Sequence, residues 1–163
     1  MSETPHPNWR WRQGPLDPAA AIVFDMDGVL SDAAKRQHYL ERPRRDWDAF
    51  FAACGDDELI DEVARLLDVI EDDLQIVLLT ARPITVQPQT LGWLDRYDLR
   101  WDLLVMRPGG SYTASRSFKR SSVEQLREYG FDLRLAFEDD RRNVEMFHAE
   151  GVPCIYIHSG YYE

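Results

Sequence analysis

The sequence predicts a three-layer α/β sandwich, a parallel β-sheet of five strands with helices on both faces. Three observations predict it. Short apolar runs at 21–24, 74–80, 101–106, 133–137 and 154–157 alternate with longer amphipathic segments. The first two runs have little polar alternation, as in strands covered on both faces. Three of the runs end in polar clusters: Asp25-Met26-Asp27-Gly28, Thr80-Ala81-Arg82 and Glu138-Asp139-Asp140. Open α/β sheets place their ligands at such strand ends. Strands that alternate with helices five times imply parallel strands and right-handed crossovers.

The totals agree with this class. A chain of 163 residues, 44% hydrophobic and 29% charged, is long enough for a real core. No apolar run approaches a membrane span, and residues 1–17 lack the apolar stretch of a secretory signal. Cytoplasmic localisation is therefore expected, with Cys54 and Cys154 read as two thiols rather than one disulfide. The four histidines show no zinc spacing. A formal net charge of -10 argues against broad nonspecific binding to nucleic acid.

Residues 1–20 read as an irregular arm. Trp9 and Trp11 alternate with Arg10 and Arg12, which fits a short edge strand, a packing clasp or a tail, the clasp being favoured. The domain proper is expected over 21–163. After the first strand, the polar connection 31–45 is rich in Lys and Arg. Asp46 caps a short helix with Trp47, Phe50, Phe51 and Cys54 on one face, read as core rather than as base-stacking surfaces, and Gly55 ends it. A second helix is expected over 57–71, with Leu59, Ile60, Val63, Leu66, Leu67 and Ile70 facing inward. Nine acids lie within 56–73, mostly on the wet face of that helix. Pro83 and Pro88 bracket the entry to a third helix at 87–97. Helix four is expected over 119–129, opened by Lys119 and closed by Gly130. Helix five is expected over 141–150, closed by Gly151, and 159–163 is a short tail. The stretch 32–73 is too short for a separate cap domain and is expected to form a small helical flap.

The strand ends carry the chemistry. Asp25, Asp27, Asp139 and Asp140 supply four carboxylates, Thr80 a hydroxyl and Lys119 an ammonium at one edge of the sheet. Crowded carboxylates repel unless a cation sits among them. Hard oxygen ligands with a partly open shell suit magnesium. Magnesium, a lysine and a hydroxyl together bind a phosphoryl group. One carboxylate can then attack phosphorus, and a second, two residues on, can serve as acid and base. A calcium loop is excluded, because Val29 and Leu30 occupy slots that need oxygen ligands and Arg36 stands where the late glutamate belongs.

These motifs resemble those of the haloacid dehalogenase superfamily of phosphohydrolases, over nearly the whole chain from Ala21. The resemblance implies a Rossmann-like sheet of order 5-4-1-2-3 with the first strand central. It implies Asp25 as nucleophile and Asp27 as acid/base. Thr80 and Lys119 would hold the phosphoryl oxygens. Mg2+ would be bound by Asp25, the backbone carbonyl of Asp27 and one of Asp139 or Asp140, with Glu138 a further candidate. Arg82, Gly28 and Ala81 would meet the substrate. A closer resemblance is to the 3′-phosphatase domain of bacteriophage polynucleotide kinase, through Thr80-Ala81-Arg82, through Asp139-Asp140-Arg141 followed by Val144-Glu145-Met146-Phe147, and through Ser159-Gly160 after the last strand. That resemblance implies removal of 3′-phosphate from polynucleotide ends or nucleotides. No kinase P-loop is present, so a kinase or ligase would sit on another chain. A mononucleotide or small-metabolite phosphatase is the alternative, and a catalytically silent binding module a third reading.

Twelve of the 19 Lys and Arg leave strand carboxyl ends: Lys35, Arg36, Arg42, Arg44, Arg45, Arg82, Arg107, Arg116, Lys119, Arg120, Arg141 and Arg142. A basic rim on an acidic protein fits a substrate with several phosphates.

Overall fold

The computed structural model describes residues 4–110 and 113–162; residues 1–3, 111–112 and 163, at the ends of the arm and tail and within the 107–117 loop, lie outside them. The strands are β1 (Trp9–Trp11), β2 (Ala20–Phe24), β3 (Ser31–Asp32), β4 (Glu58–Leu59), β5 (Gln75–Pro83), β6 (Leu103–Arg107), β7 (Asp132–Glu138) and β8 (Cys154–Tyr156). The α-helices are α1 (Trp47–Ala52), α2 (Asp61–Val69), α3 (Gln87–Arg96), α4 (Ser115–Tyr129) and α5 (Arg141–Ala149).

The main sheet runs β1-β6-β5-β2-β7-β8. β2 is flanked by β5 and β7, both parallel to it, β6 adds parallel to β5, and β8 adds parallel to β7. The expected sheet of five parallel strands is thus corrected to a mixed sheet of six. The sixth strand comes from the arm: β1 pairs antiparallel with β6, Trp9 opposite Val105 and Trp11 opposite Leu103. Both indoles are buried, and Trp9 meets Tyr129 edge-on at 5.4 Å while Trp11 stacks on Phe131 at 6.1 Å. The arm is both an edge strand and a clasp, and it covers backbone groups of β6 that an open edge would expose.

Alternation along the strands fills two cores, as the pleat requires. Ile22, Phe24, Ile76, Leu78, Leu104 and Met106 face one side, with Val63 and Leu67 of α2 and Trp93 and Leu94 of α3. Ala21, Val23, Val77, Leu79, Leu103 and Val105 face the other, with Val123 and Leu126 of α4 and Met146 and Phe147 of α5. Helices therefore cover both faces. No helix among the described residues is long and apolar enough to cross a membrane. Cys54 and Cys154 are free thiols.

Several expected bounds shift for local reasons. The 57–71 helix begins only at Asp61, because Glu58 and Leu59 form a two-residue ladder with Ser31 and Asp32. Helix four begins at Ser115, so Lys119 lies in its second turn rather than opening it. β5 runs on to Pro83 and carries Arg82 in the strand. The Asp46 carboxylate caps α1 as expected, accepting from the Ala49 N–H at 3.0 Å. Trp47, read as core, is instead 46% exposed, because it sits at the first position of that helix, past the edge of the buried cluster.

Candidate active site

β2 delivers Asp25 to the carboxyl edge of the sheet, and the Asp25 N–H donates to the Phe137 carbonyl at 3.0 Å. The chain then turns tightly. The Met26 carbonyl accepts from the N–H groups of Val29, Leu30 and Ser31 at 3.1, 2.9 and 2.9 Å. Gly28 makes this turn at φ +84°, a region that L side chains rarely adopt. A Cβ there would lie 2.1 Å from Asp139 Oδ2. Only glycine lets the loop sit against Asp139. Gly28→Ala is expected to cost about 1–3 kcal/mol of stability through the strained φ alone and to displace Asp139. A lowered urea midpoint together with weaker divalent-cation binding checks this.

Asp25, Glu138 and Asp139 form a buried acidic cluster with one ligand oxygen from each within 4.8 Å of the others. The Lys119 Nζ, buried in α4, donates to Asp25 Oδ1 at 3.0 Å and to Glu138 Oε2 at 2.7 Å. Burial would favour the neutral amine, but Asp25 and Glu138 outweigh it and raise the Lys119 pKa. Burial and the adjacent Asp25 push Glu138 up, against the pull of Lys119. Burial, then Asp25, push Asp139 well above the carboxylate range. Both carboxylate oxygens of Asp139 are buried and, among the described residues, accept no hydrogen bond. Orphaned buried acceptors beside two further carboxylates are a donor set that fits a hard divalent cation.

Of the pair Asp139 and Asp140, Asp139 is the one that faces Asp25. Asp140 caps α5, accepting from the Arg142 N–H at 3.0 Å, and its carboxylate pairs with the Arg142 guanidinium. Glu138, a further candidate in sequence, lies in the acidic cluster with Asp25 and Asp139. The Asp27 side chain turns to a second cluster. Its Oδ1 accepts from Arg36 Nη2 at 2.6 Å and from Arg82 Nη2 at 2.7 Å. Asp57 closes that cluster from below. It accepts from Arg36 Nε at 2.8 Å and Nη2 at 2.6 Å and from the Ser31 hydroxyl at 2.5 Å. Burial would raise the Asp27 carboxyl, but Arg82 and Arg36 hold it well below the usual carboxylate range. Thr80 is buried at the end of the β5 apolar run, and its hydroxyl oxygen accepts from the Arg82 N–H at 3.1 Å. Ala81, partly buried, spaces the two.

Arg36 and Asp57 were not singled out by the sequence. Arg36 reads as one of a basic run and Asp57 as one of nine acids on a wet face, yet both are buried and paired. The basic rim is correspondingly thinner than expected. Arg36, Arg82 and Lys119 are buried in ion pairs, and Lys35, Arg120 and Arg142 pair with Glu58, Glu150 and Asp140.

The arrangement is a strand-end acid with a buried lysine, beside a second acid two residues on. The chain as a whole matches known proteins. The family model of the polynucleotide kinase PNKP phosphatase domain matches residues 19–162. The chain belongs to this family. It is a haloacid dehalogenase-type phosphatase domain. Among solved structures, one of the Pnkp1/Rnl/Hen1 RNA repair complex superposes with a TM-score of 0.74 at 21% identity, covering 91% of this chain and 45% of that one. A second structure of the Pnkp1/Rnl/Hen1 complex gives 0.73 at 23% identity, covering 88% and 47%. The class C acid phosphatase from Bacillus anthracis with tungstate bound gives 0.58 at 15% identity, covering 92% and 70%. At these identities the structures show the fold. The phosphatase domain spans under half the length of the two repair-complex chains. No curated protein matches the sequence.

Proposed function

We propose that this phosphatase domain is a Mg2+-dependent phosphomonoesterase that removes 3′-phosphate from polynucleotide ends through an aspartyl phosphate on Asp25. One observation carries this reading: Asp25 stands at the end of β2 with Lys119 at 3.0 Å and the orphaned Asp139 oxygens beside it. Asp25, Asp139 and the Asp27 backbone carbonyl would hold the metal, with Glu138 adjoining. The ion supplies charge neutralisation at the phosphoryl oxygens. Lys119 and the Thr80 hydroxyl orient those oxygens. An Asp25 carboxylate oxygen attacks phosphorus as the bond to the 3′-oxygen breaks, and Asp27 passes a proton to that oxygen. Asp27 then takes a proton from water, which attacks phosphorus and releases phosphate and free Asp25. The guanidiniums on Asp27 hold it as an acceptor, which suits the second step. For the first step, phosphoryl oxygens must compete with Asp27 for Arg82, and this is the role assigned to Arg82, with Gly28 and Ala81 shaping the same edge.

The shortness of the 32–73 flap suits access by a large substrate. The Pnkp1 neighbours stand in an assembly with Rnl and Hen1, which supports a kinase or ligase partner on another chain. Free thiols at Cys54 and Cys154 support a cytoplasmic setting. A mononucleotide or small-metabolite phosphatase is the second reading, since the same catalytic set serves any phosphomonoester.

The test is phosphate release with Mg2+ from 3′- and 5′-phosphorylated oligonucleotides, 3′- and 5′-mononucleotides and an aryl phosphate. Preference for the 3′-phosphorylated oligonucleotide is expected. Equal or better turnover of the mononucleotides would move the assignment to the second reading. No release above an Asp25→Asn blank would point to a silent binding module.

A further inference from the structure

The flap carries an exposed indole, Trp47, joined to Asp27 through Phe50 and Arg36. Arg36 links the two: its Nη2 donates to Asp27 at 2.6 Å, its Nη1 donates to the Phe50 carbonyl at 3.0 Å, and its guanidinium lies 4.4 Å from the centre of the Phe50 ring. Trp47 lies one turn before Phe50 on the same face of α1, edge-on to it at 5.7 Å, and stacks on Phe51 at 5.9 Å. Phe50 and Phe51 therefore fix the indole from behind, while about half of it faces solvent. The other tryptophans are at least 95% buried. The chain just before Trp47 carries Arg42, Arg44 and Arg45, all exposed, in a protein of net charge -10, and Arg42 lies 3.9 Å from the Asp46 carboxylate, which a phosphate would have to displace. The cleft of about 350 Å³ at Gly28 has Asp32 and Glu62 in its lining beside His158 and Tyr161, and those two carboxylates repel a polyanion.

We propose that Trp47 is a stacking platform for a nucleobase next to the 3′-phosphate, with Arg42, Arg44 and Arg45 taking the adjoining backbone phosphates. This rests on the polynucleotide 3′-phosphatase reading and assigns the side on which the leaving strand lies. An aromatic ring accepts any base, so the platform selects a polynucleotide end over a small phosphomonoester without reading sequence.

The experiment compares Trp47→Ala and Trp47→Phe with the wild-type chain on two 3′-phosphorylated oligonucleotides, one complete and one abasic at its last two positions. Trp47→Ala is expected to lower kcat/KM on the complete strand about 5- to 150-fold, the range for losing one stacked base. It should leave the abasic strand unchanged, and Trp47→Phe should restore most of the loss. In the Asp25→Asn background, the complete oligonucleotide should quench indole emission, and the Trp47→Phe change should remove that quench. Equal effects of Trp47→Ala on both strands would overturn the platform, as would an altered oligomeric state without altered discrimination, which would assign the face to a second copy. Absence of wild-type turnover on either strand would overturn the 3′-phosphatase reading and the platform with it.

Discussion

Asp25→Asn is expected to lower phosphate release on the order of 10⁴-fold or more, as loss of a covalent nucleophile does. The change is nearly isosteric and keeps a Lys119 Nζ acceptor at the position now 3.0 Å away, so the fold should survive. The measurement is initial-rate phosphate release beside a far-UV circular dichroism spectrum. A loss of only a few-fold would mean that Asp25 merely orients the substrate. A collapsed spectrum would mean that its pairing with Lys119 serves stability first.

The second large effect falls on a residue that touches no substrate. Asp57→Ala is expected to destabilise the protein by about 3–5 kcal/mol, the cost of breaking a buried ion pair from one side. Asp57 is 3% exposed and answers Arg36 with both oxygens, and Arg82 Nη2 lies 3.6 Å away. Without it, two buried guanidiniums share only Asp27. Urea unfolding with unchanged m-value and a lower midpoint is the expected signature. A midpoint within error of wild type would show that water replaces the carboxylate at little cost.

These two residues also mark how far the sequence could be read. Asp25 was legible because it ends an apolar run at a place where a soluble strand has no packing use for a carboxylate. Thr80 and Lys119 were legible only as members of an ordered set. Taken alone, a strand-end hydroxyl and a helix lysine are common. Asp57 was hidden because its partner Arg36 lies 21 residues away. No local periodicity separates a buried acid from its neighbours in a run of nine. Arg36 was hidden in the same way within a basic stretch. The edge strand at Trp9–Trp11 is three residues long, too short for alternation to tell a strand from a clasp. The start of α4 was missed because no side chain caps it and its first turn has no apolar stripe. Trp47 carried the right helical spacing for a core residue, but its place at the first turn of a six-residue helix puts it outside the packed cluster.

The most direct measurement of the central claim is a trapping experiment with Asp27→Asn. This chain, which keeps Asp25 but lacks the carboxylate that would activate water, would be mixed with Mg2+ and a 3′-radiolabelled oligonucleotide, then quenched in acid and mapped by peptide mass spectrometry. The account predicts label on Asp25, in the peptide spanning β2 and its turn, with none from a 5′-labelled strand. Wild-type turnover of the 3′-labelled strand with label on a residue other than Asp25 would contradict it.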